Sequence, residues 1–458
     1  MSAVYAFTRA DAATALLLGT EAVSFEALRQ EVEERKARLA GLPPGVAILR
    51  AHRSRAFIAS FLALYEAGIP LAVFAPEWTS TEVEVRRKGL GCCFELNESL
   101  TSGWRSVSGV TQHHPDTALV LFTSGSTGAP RAVQLSRRNI EANVAAVLAS
   151  LDFAAAPMQT LFLPLSYSFG LLGQLLPALS AGLPTTLLGN LVELKALLEE
   201  GKLVGMISGV PSHYEALLRL LGAGPEGTQG VTHVVSAGAA LSLPLRQRLL
   251  QAFPASRIYT NYGQTELSPR VLCLRSDHPA FLSSATGFPV GTLAVKLTGE
   301  GELCVRGEQV MLGYLGAPEA TREKVEDGWL RTGDIAELGP DGLVTLLGRN
   351  DDLLKVGGER LSPFEIEAAL RELPGVEDAA VWGQEDPLYG TTLTAFLQLR
   401  PSSSCPAKRE LRQTLRGSLS PHKIPTEFYR VEQLPRTSNG KLQRARLVEA
   451  LQPEQRIN

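Results

Sequence analysis

Residues Leu121 to Arg131 read LFTSGSTGAPR, an apolar approach that runs into hydroxyls and glycines and closes on a cation. Gly125 and Gly128 permit close backbone approach and unusual φ, while Thr123, Ser124, Ser126 and Thr127 add hydroxyl donors. Backbone N–H groups gathered in such a nest can face phosphate oxygens. The pattern is not G-x-x-x-x-G-K-[ST], because no Lys follows the second Gly. The cation here is Arg131. Taken alone, the loop fits a Ser/Gly-rich surface turn as well as it fits a phosphate grip.

Four further motifs follow in order: YGQTE (Tyr262 to Glu266), GWLRTGD (Gly328 to Asp334), GRNDDLLKVGGERLSPFEIE (Gly348 to Glu367) and RTSNGK (Arg436 to Lys441). With all five in place, from residue 121 to 441, the chain resembles the adenylate-forming superfamily of acyl- and aryl-CoA ligases, peptide-synthetase adenylation domains and luciferases. The resemblance implies two steps. A carboxylate attacks the α-phosphorus of ATP with Mg²⁺ present, giving an acyl-adenylate and pyrophosphate. The thiol of coenzyme A then displaces AMP.

The same resemblance implies roles for individual residues. Thr123, Ser124, Gly125, Ser126, Thr127, Gly128 and Arg131 would hold the β- and γ-phosphates. Glu266 would hold Mg²⁺, which prefers hard oxygen ligands, and Thr265 would contact the α-phosphate. Asn261 and Tyr262 stand where adenine binds, with Tyr262 stacking, and Gly263 belongs to the same nucleotide site. Asp334 would accept from both ribose hydroxyls, and Arg349 would reach the ribose or a phosphate. Lys441 would sit between the carboxylate and the α-phosphate, offsetting their repulsion and stabilising the transition state. Asp351 lies at the hinge position. Rotation there would bring Gly357, Gly358 and Glu359 to form the CoA channel.

The stretch LPLSYSFGLLGQ bears on the acid. Tyr167, with Ser168 and Phe169, stands where many CoA ligases carry His or an aromatic residue. Adenylation domains for amino acids carry an Asp near this point, yet no Asp, Glu, Lys or Arg lies between Phe153 and Val192. An unpaired ammonium would be costly in such a wall, so α-amino acids are disfavoured. His213, Gly238, Ala239 and Gly263 complete the pocket that the resemblance implies. The expectation is a small carboxylic acid, preferably an aryl acid, with a medium-chain fatty acid as the alternative. Coenzyme A is the expected thiol, with an acyl carrier protein's phosphopantetheine as the alternative. Two departures, Arg131-Ala132 for the usual Lys-Gly and Arg137 for a frequent His, keep open a non-catalytic nucleotide-binding relative. Arg retains the charge and grips phosphate with its fork.

The elements that must position these residues are legible in the patterning. SFEALRQEVEERKARLAGL begins at Ser24 and keeps Leu28, Val32 and Leu39 on one face, which predicts an amphipathic helix ending at Gly41. SRAFIASFLALYEAG and NIEANVAAVLAS also read as helices. GVAILRA, IPLAVFAP, TLFLPL, LVGMISGV, THVVSAG and SRIYTNYG read as buried strands. This alternation predicts an α/β domain of mixed sheets flanked by helices over residues 1–349, with ligand loops at the carboxyl ends of its strands. From residue 350 the texture changes. Ser362-Pro363-Phe364-Glu365 is a capping box with Pro at the first helical position. VEDAAVWG, TLTAFLQL and EFYRVEQL read as strands and KRELRQTLRGSL as a helix, a small mobile α+β domain over residues 350–458.

Bulk composition agrees with such an enzyme. The 458 residues include 44 basic and 47 acidic side chains, a net charge of −3 that offers neither a nucleic-acid footprint nor a polybasic membrane surface. Five cysteines without a C-x-x-C pair suggest no disulfide framework or zinc site, which fits a reducing cytoplasm. The start of the chain lacks a basic region before its short apolar run, so no signal peptide is expected. The charge-free stretch Phe153 to Val192 is interrupted by Pro164, Pro177 and Pro184, which favours a buried pocket wall over a membrane span. A monomer or homodimer is expected.

Overall fold

The computed structural model describes residues 12–42, 44–100, 106–107, 113–124, 130–222, 227–350, 354–356, 359–361, 363–386, 390–401, 403–436, 442–452 and 455–457. Gly125, Ser126, Thr127, Gly128, Asp351, Gly357, Gly358 and Lys441 therefore lie outside the described residues, as do the side chains of Ser124 and Glu359.

Local chemistry sets the helix starts. Helix Phe25–Lys36 begins where the Ser24 hydroxyl accepts from the Ala27 amide at 3.1 Å, and helix Arg55–Glu66 where Ser54 accepts from Phe57 at 3.0 Å. Helix Arg137–Ser150 carries a reciprocal cap between Ser136 and Asn139. Arg137 donates to the Tyr65 carbonyl and lies over that ring, so it fixes this helix against helix Arg55–Glu66.

Two large sheets carry the N-terminal part. The seven-stranded sheet has the order Gly313–Tyr314, Pro130–Ser136, Thr117–Ser124, Leu71–Phe74, Val46–Arg50, Cys93–Glu95, Ser106–Val107. Strands Val46–Arg50 and Leu71–Phe74 pair in parallel and are apolar on both faces, as helix-covered parallel strands must be. In the antiparallel hairpin of Thr117–Ser124 and Pro130–Ser136, Thr123 stands opposite Arg131. The pairing runs as far as Ser124 opposite Pro130, so the described ends of LFTSGSTGAPR belong to this hairpin.

The nine-stranded sheet runs Phe288–Pro289, Arg270–Arg275, Arg257–Gly263, Val231–Ser236, Gly205–Gly209, Gln159–Leu161, Thr185–Leu187, Thr14–Leu18, Glu21–Ser24. A further five-stranded sheet was not anticipated. It runs Ala294–Leu297, Glu302–Arg306, Trp329–Leu338, Val325–Glu326, with Val344–Arg349 also paired to Trp329–Leu338.

The charge-free stretch forms a buried wall. It holds the consecutive helical segments Ser168–Gly170, Leu171–Leu175 and Leu176–Ser180, the middle one with π-type bonding. No helix among the described residues is long and apolar enough to cross a membrane.

The C-terminal part has a three-stranded sheet, Val376–Asp386, Gly390–Leu399 and Glu427–Val431, with helices Pro363–Arg371 and Lys408–Leu415. The apolar clusters divide near residue 350: among the described residues, none mixes side chains from both sides of it. Glu367, 1% exposed, pairs with Arg444 and also accepts from the Val381 amide at 2.9 Å. Arg436 reaches Asp378 at 2.5 Å, and Arg436 and Leu442 form a β-bridge. Arg436 and Arg444, which precede and follow residues 437–441 in sequence, are thus both tied to the small domain.

Candidate active site

Strand Arg257–Gly263 delivers Asn261 and Tyr262 at its carboxyl end, followed by the turn that holds Gln264, Thr265 and Glu266. Asn261 is 4% exposed; its amide donates to the Ser236 carbonyl at 3.2 Å, and its Oδ1 has no partner among the described residues. A buried acceptor left this way marks a place for a donor from outside the chain. Gly263 is exposed and stands opposite Arg270 in the ladder. A Cβ on it would lie 2.0 Å from the Pro269 carbonyl oxygen, so no larger residue fits beside this turn.

Asp334 comes from strand Trp329–Leu338 and is 7% exposed. Its Oδ2 accepts from the Tyr262 hydroxyl at 2.5 Å and from the Gln264 amide at 2.7 Å. Arg349, its ladder partner, holds Nε 3.7 Å from Oδ1. Burial raises the Asp334 pKa above the ordinary carboxylate range, and Arg349, Tyr262 and Gln264 oppose that shift. Tyr262 is pushed well up by burial and by the Asp334 charge, so its hydroxyl remains a donor.

Thr265 and Glu266 face two further elements. Thr265 Oγ1 lies 3.1 Å from Ser168 Oγ, which ties the turn to the charge-free wall. Glu266 Oε1 accepts from the Tyr314 hydroxyl at 2.9 Å. The Arg131 guanidinium sits 5.1 Å over the Tyr314 ring. One tyrosine therefore links the cation that closes the hairpin loop to the carboxylate of the YGQTE motif. Glu266 offers a hard oxygen ligand beside that cation, the donor chemistry that Mg²⁺ requires.

The remaining expected residues divide. Tyr167 and Phe169 are half-buried beside Ser168. Gly238 and Ala239 are exposed on the loop after strand Val231–Ser236. His213 lies in the first turn of helix Pro211–Leu221. Its Nδ1 accepts from the Val210 amide at 3.4 Å and its ring meets Phe162 edge-on, so one nitrogen is engaged in capping its own helix. Burial lowers its pKa. Tyr214, next to His213 in the helix, is a strut: it is buried, and its hydroxyl donates to the Val235 carbonyl at 2.7 Å.

Four contributors escaped sequence reasoning. Gln264 bridges Tyr262, Asp334 and the Thr332 carbonyl; its place inside YGQTE was the available signal. Lys324 donates to the Thr332 carbonyl at 3.1 Å, and burial lowers its pKa while the Glu266 and Asp334 charges raise it. In PEATREK it reads as one more solvated charge. Tyr314 and Arg270 carried no signal in sequence.

The AMP-binding enzyme family model matches residues 89–315, and that of the AMP-binding enzyme C-terminal domain matches residues 365–441. The chain is 32% identical over 339 residues to a feruloyl-CoA synthase of Amycolatopsis sp, covering 71% of this chain and 68% of the relative. It is 31% identical over 345 residues to a 2-succinylbenzoate–CoA ligase of Bacillus velezensis, covering 73% and 69%. With a sulfoacetate–CoA ligase of Cupriavidus necator it shares 32% over 403 residues, covering 84% and 75%. Two solved structures share the fold. ATP-bound MatB from Rhodopseudomonas palustris has a TM-score of 0.83 at 22% identity, over 98% of this chain and 99% of that one. The o-succinylbenzoate coenzyme A synthetase of Bacillus subtilis with ATP and magnesium has 0.79 at 23%, over 95% and 96%. Matched in both its parts and aligned with CoA ligases over most of its length, the chain belongs to the adenylate-forming acyl- and aryl-CoA ligase superfamily.

Proposed function

We propose that this ligase activates a carboxylic acid with an aromatic or similarly apolar body and transfers it to coenzyme A, using the residues placed above. One observation carries the reading: Tyr314 joins Arg131 to Glu266, and Tyr262 and Gln264 of the same YGQTE motif bond Asp334, the neighbour of Arg349, so elements of three sheets converge on that one turn.

In the first step a carboxylate oxygen bonds to the α-phosphorus of ATP while the bond to the bridging oxygen breaks, and that oxygen leaves with pyrophosphate. The obstacle is charge: two unit charges 4 Å apart repel by about 4 kcal/mol even at an effective dielectric of 20. Arg131 at the hairpin tip offsets charge on the departing pyrophosphate, and Lys441 does so at the attacking oxygen. Glu266 would hold Mg²⁺, which would supply further neutralisation of the phosphate charge. Asp334 and Arg349 hold the ribose, Asn261 takes a donor from adenine through its unpartnered oxygen, and Tyr262 stacks on the ring. In the second step the thiol sulfur, its proton released to solvent, bonds to the acyl carbon while the bond from that carbon to the phosphate oxygen breaks, and AMP leaves with that oxygen. Rotation at Asp351 brings the Gly357–Glu359 segment to the thiol, with residue 350 as the boundary between the two domains; the split of the apolar clusters there supports this.

Tyr167, Phe169 and the charge-free wall favour an apolar acid body over an α-amino acid. The names of two relatives, feruloyl-CoA synthase and 2-succinylbenzoate–CoA ligase, support an aryl acid. Free coenzyme A is favoured over a carrier protein, and the free cysteines fit a reducing, cytoplasmic compartment. Incubating the protein with ATP, a benzoate panel and either CoA or a phosphopantetheinylated carrier, with mass detection of thioesters, tests this. Aroyl-CoA products are expected; acyl-carrier products alone, or none, would contradict it.

A further inference from the structure

Arg270 opens strand Arg270–Arg275, and its side chain is the largest of those fully buried, at 2% exposure. Its main chain is anchored on both sides: the amide donates to Asn143 Oδ1 at 3.1 Å and the carbonyl accepts from the Gln309 amide at 2.8 Å. The guanidinium is not. Nη1 and Nη2 are both buried and have no hydrogen-bond partner among the described residues. The group lies 5.6 Å over the Phe169 ring, and Nη2 is 3.5 Å from where a Cβ on Gly173 would stand. Burial keeps the neighbouring Cys273 thiol protonated by raising its pKa to about 11, so that thiol supplies no counter-charge. No acidic residue occurs in the adjoining wall from Phe153 to Val192.

A guanidinium keeps its proton in proteins. A buried cation without a counter-anion is strongly destabilising, and such groups persist where a partner completes them. Phe169 and Gly173 belong to the same helical run as Ser168, whose hydroxyl meets Thr265, so the orphaned fork faces the wall assigned to the acid.

We propose that Arg270 is a specificity-determining residue that receives a second carboxylate on the acid, so that the preferred substrates are dicarboxylic acids. This rests on the ligase reading above. One carboxylate is presented at Thr265 for adenylation, and the other takes a forked pair of hydrogen bonds from Arg270. Gly173 lies five residues beyond Ser168, a rise on the order of 7 Å along a helix. That span suits carboxylates separated by a benzene ring or a four-carbon chain. A Cβ on Gly173 would stand 3.1 Å from the Phe169 ring and 3.5 Å from Nη2, so the Phe169 ring turns aside to admit the second carboxylate and then covers the body between.

The test is acid-dependent exchange of pyrophosphate into ATP with matched pairs: terephthalate against 4-methylbenzoate, and adipate against hexanoate. The wild-type protein should favour each diacid by roughly 100-fold in kcat/KM, because a site built to bond a polar group discriminates strongly against the analogue lacking it. Arg270→Met should invert that preference and leave the KM for ATP unchanged, an inversion that a purely structural role would not produce. Equal use of both members of each pair by the wild type, or a diacid preference that survives in Arg270→Met, would overturn the proposal. If Arg270→Met fails to fold by circular dichroism, the wild-type preference and the charge-conserving Arg270→Lys decide the matter. Exchange with monoacids alone overturns the Arg270 assignment and leaves the ligase reading standing. No exchange with any acid in a broad panel counts against the ligase reading itself.

Discussion

Asp334→Asn separates a binding role from a structural one. The substitution is nearly isosteric and leaves an oxygen to accept from Tyr262 and Gln264, as Oδ2 does at 2.5 and 2.7 Å. What goes is the charge, and with it the strength of the two proposed ribose contacts. Hydrogen bonds to a charged group are worth about 1.5–3 kcal/mol each, so a combined loss of about 3 kcal/mol is expected. That is roughly 100-fold in kcat/KM for ATP. Stability should move the other way. Burial is the chief influence on Asp334 and raises its folded-state pKa, so the unfolded chain releases this proton at lower pH than the folded one. The wild type is therefore penalised as pH rises from the unfolded value through the folded value, and the penalty persists above it. Asp334→Asn lacks this step and should melt no lower than wild type at neutral pH. Steady-state kinetics with varied ATP, beside thermal melts at acid and neutral pH, provide the measurement. An unchanged KM for ATP together with a lowered melting temperature would refute the reasoning and make Asp334 a structural cap.

Three other outcomes are expected. Arg131→Ala should raise the KM for ATP by about tenfold or more through loss of one charge-assisted phosphate contact, yet leave binding of a non-hydrolysable acyl-adenylate analogue nearly intact; equal weakening of both by titration calorimetry would contradict its place at the pyrophosphate. Gly263→Ala places a methyl 2.0 Å from the Pro269 carbonyl oxygen, so the turn carrying Thr265 and Glu266 must shift; a stability loss of about 1–3 kcal/mol by chemical denaturation and a fall in kcat should appear together, and wild-type kinetics would count against the tight turn. Glu367→Ala leaves Arg444 without its buried carboxylate, which should cost about 3–5 kcal/mol in the C-terminal domain and slow adenylation with the KM for ATP unchanged; undiminished adenylation would show that the clamp does not position Lys441.

Some of this was legible in the chain and some was not, for identifiable physical reasons. Ser24 and Ser54 are helix caps that announce themselves, and Val46–Arg50 and Leu71–Phe74 are apolar on both faces, so short-range rules found them. The five-stranded sheet escaped because its longest strand, Trp329–Leu338, buries its residues irregularly and pairs on both edges with short strands. EFYRVEQL was read as one strand, but pairing ends at Val431, four residues before Pro435. Motif residues such as Thr265, Glu266 and Asp334 stood out because several hydroxyls, carboxylates and glycines sit close together in sequence. Lys324 and Arg270 matter through what surrounds them in space, and isolated cations in PEATREK and SPRVLCLR give no hint of burial. His213 shows the converse: a conspicuous side chain in sequence is engaged with its own helix N-terminus.

We propose that this protein couples ATP to a carboxylic acid through an adenylate, with Lys441 serving that half-reaction. Exchange of labelled pyrophosphate into ATP tests both parts at once. The wild type should exchange only when a suitable acid is present. Lys441→Ala should lose exchange almost completely while still converting a supplied acyl-adenylate and CoA to thioester. Exchange that is absent from the wild type across a broad acid panel, or Lys441→Ala losing both half-reactions equally, would contradict the account.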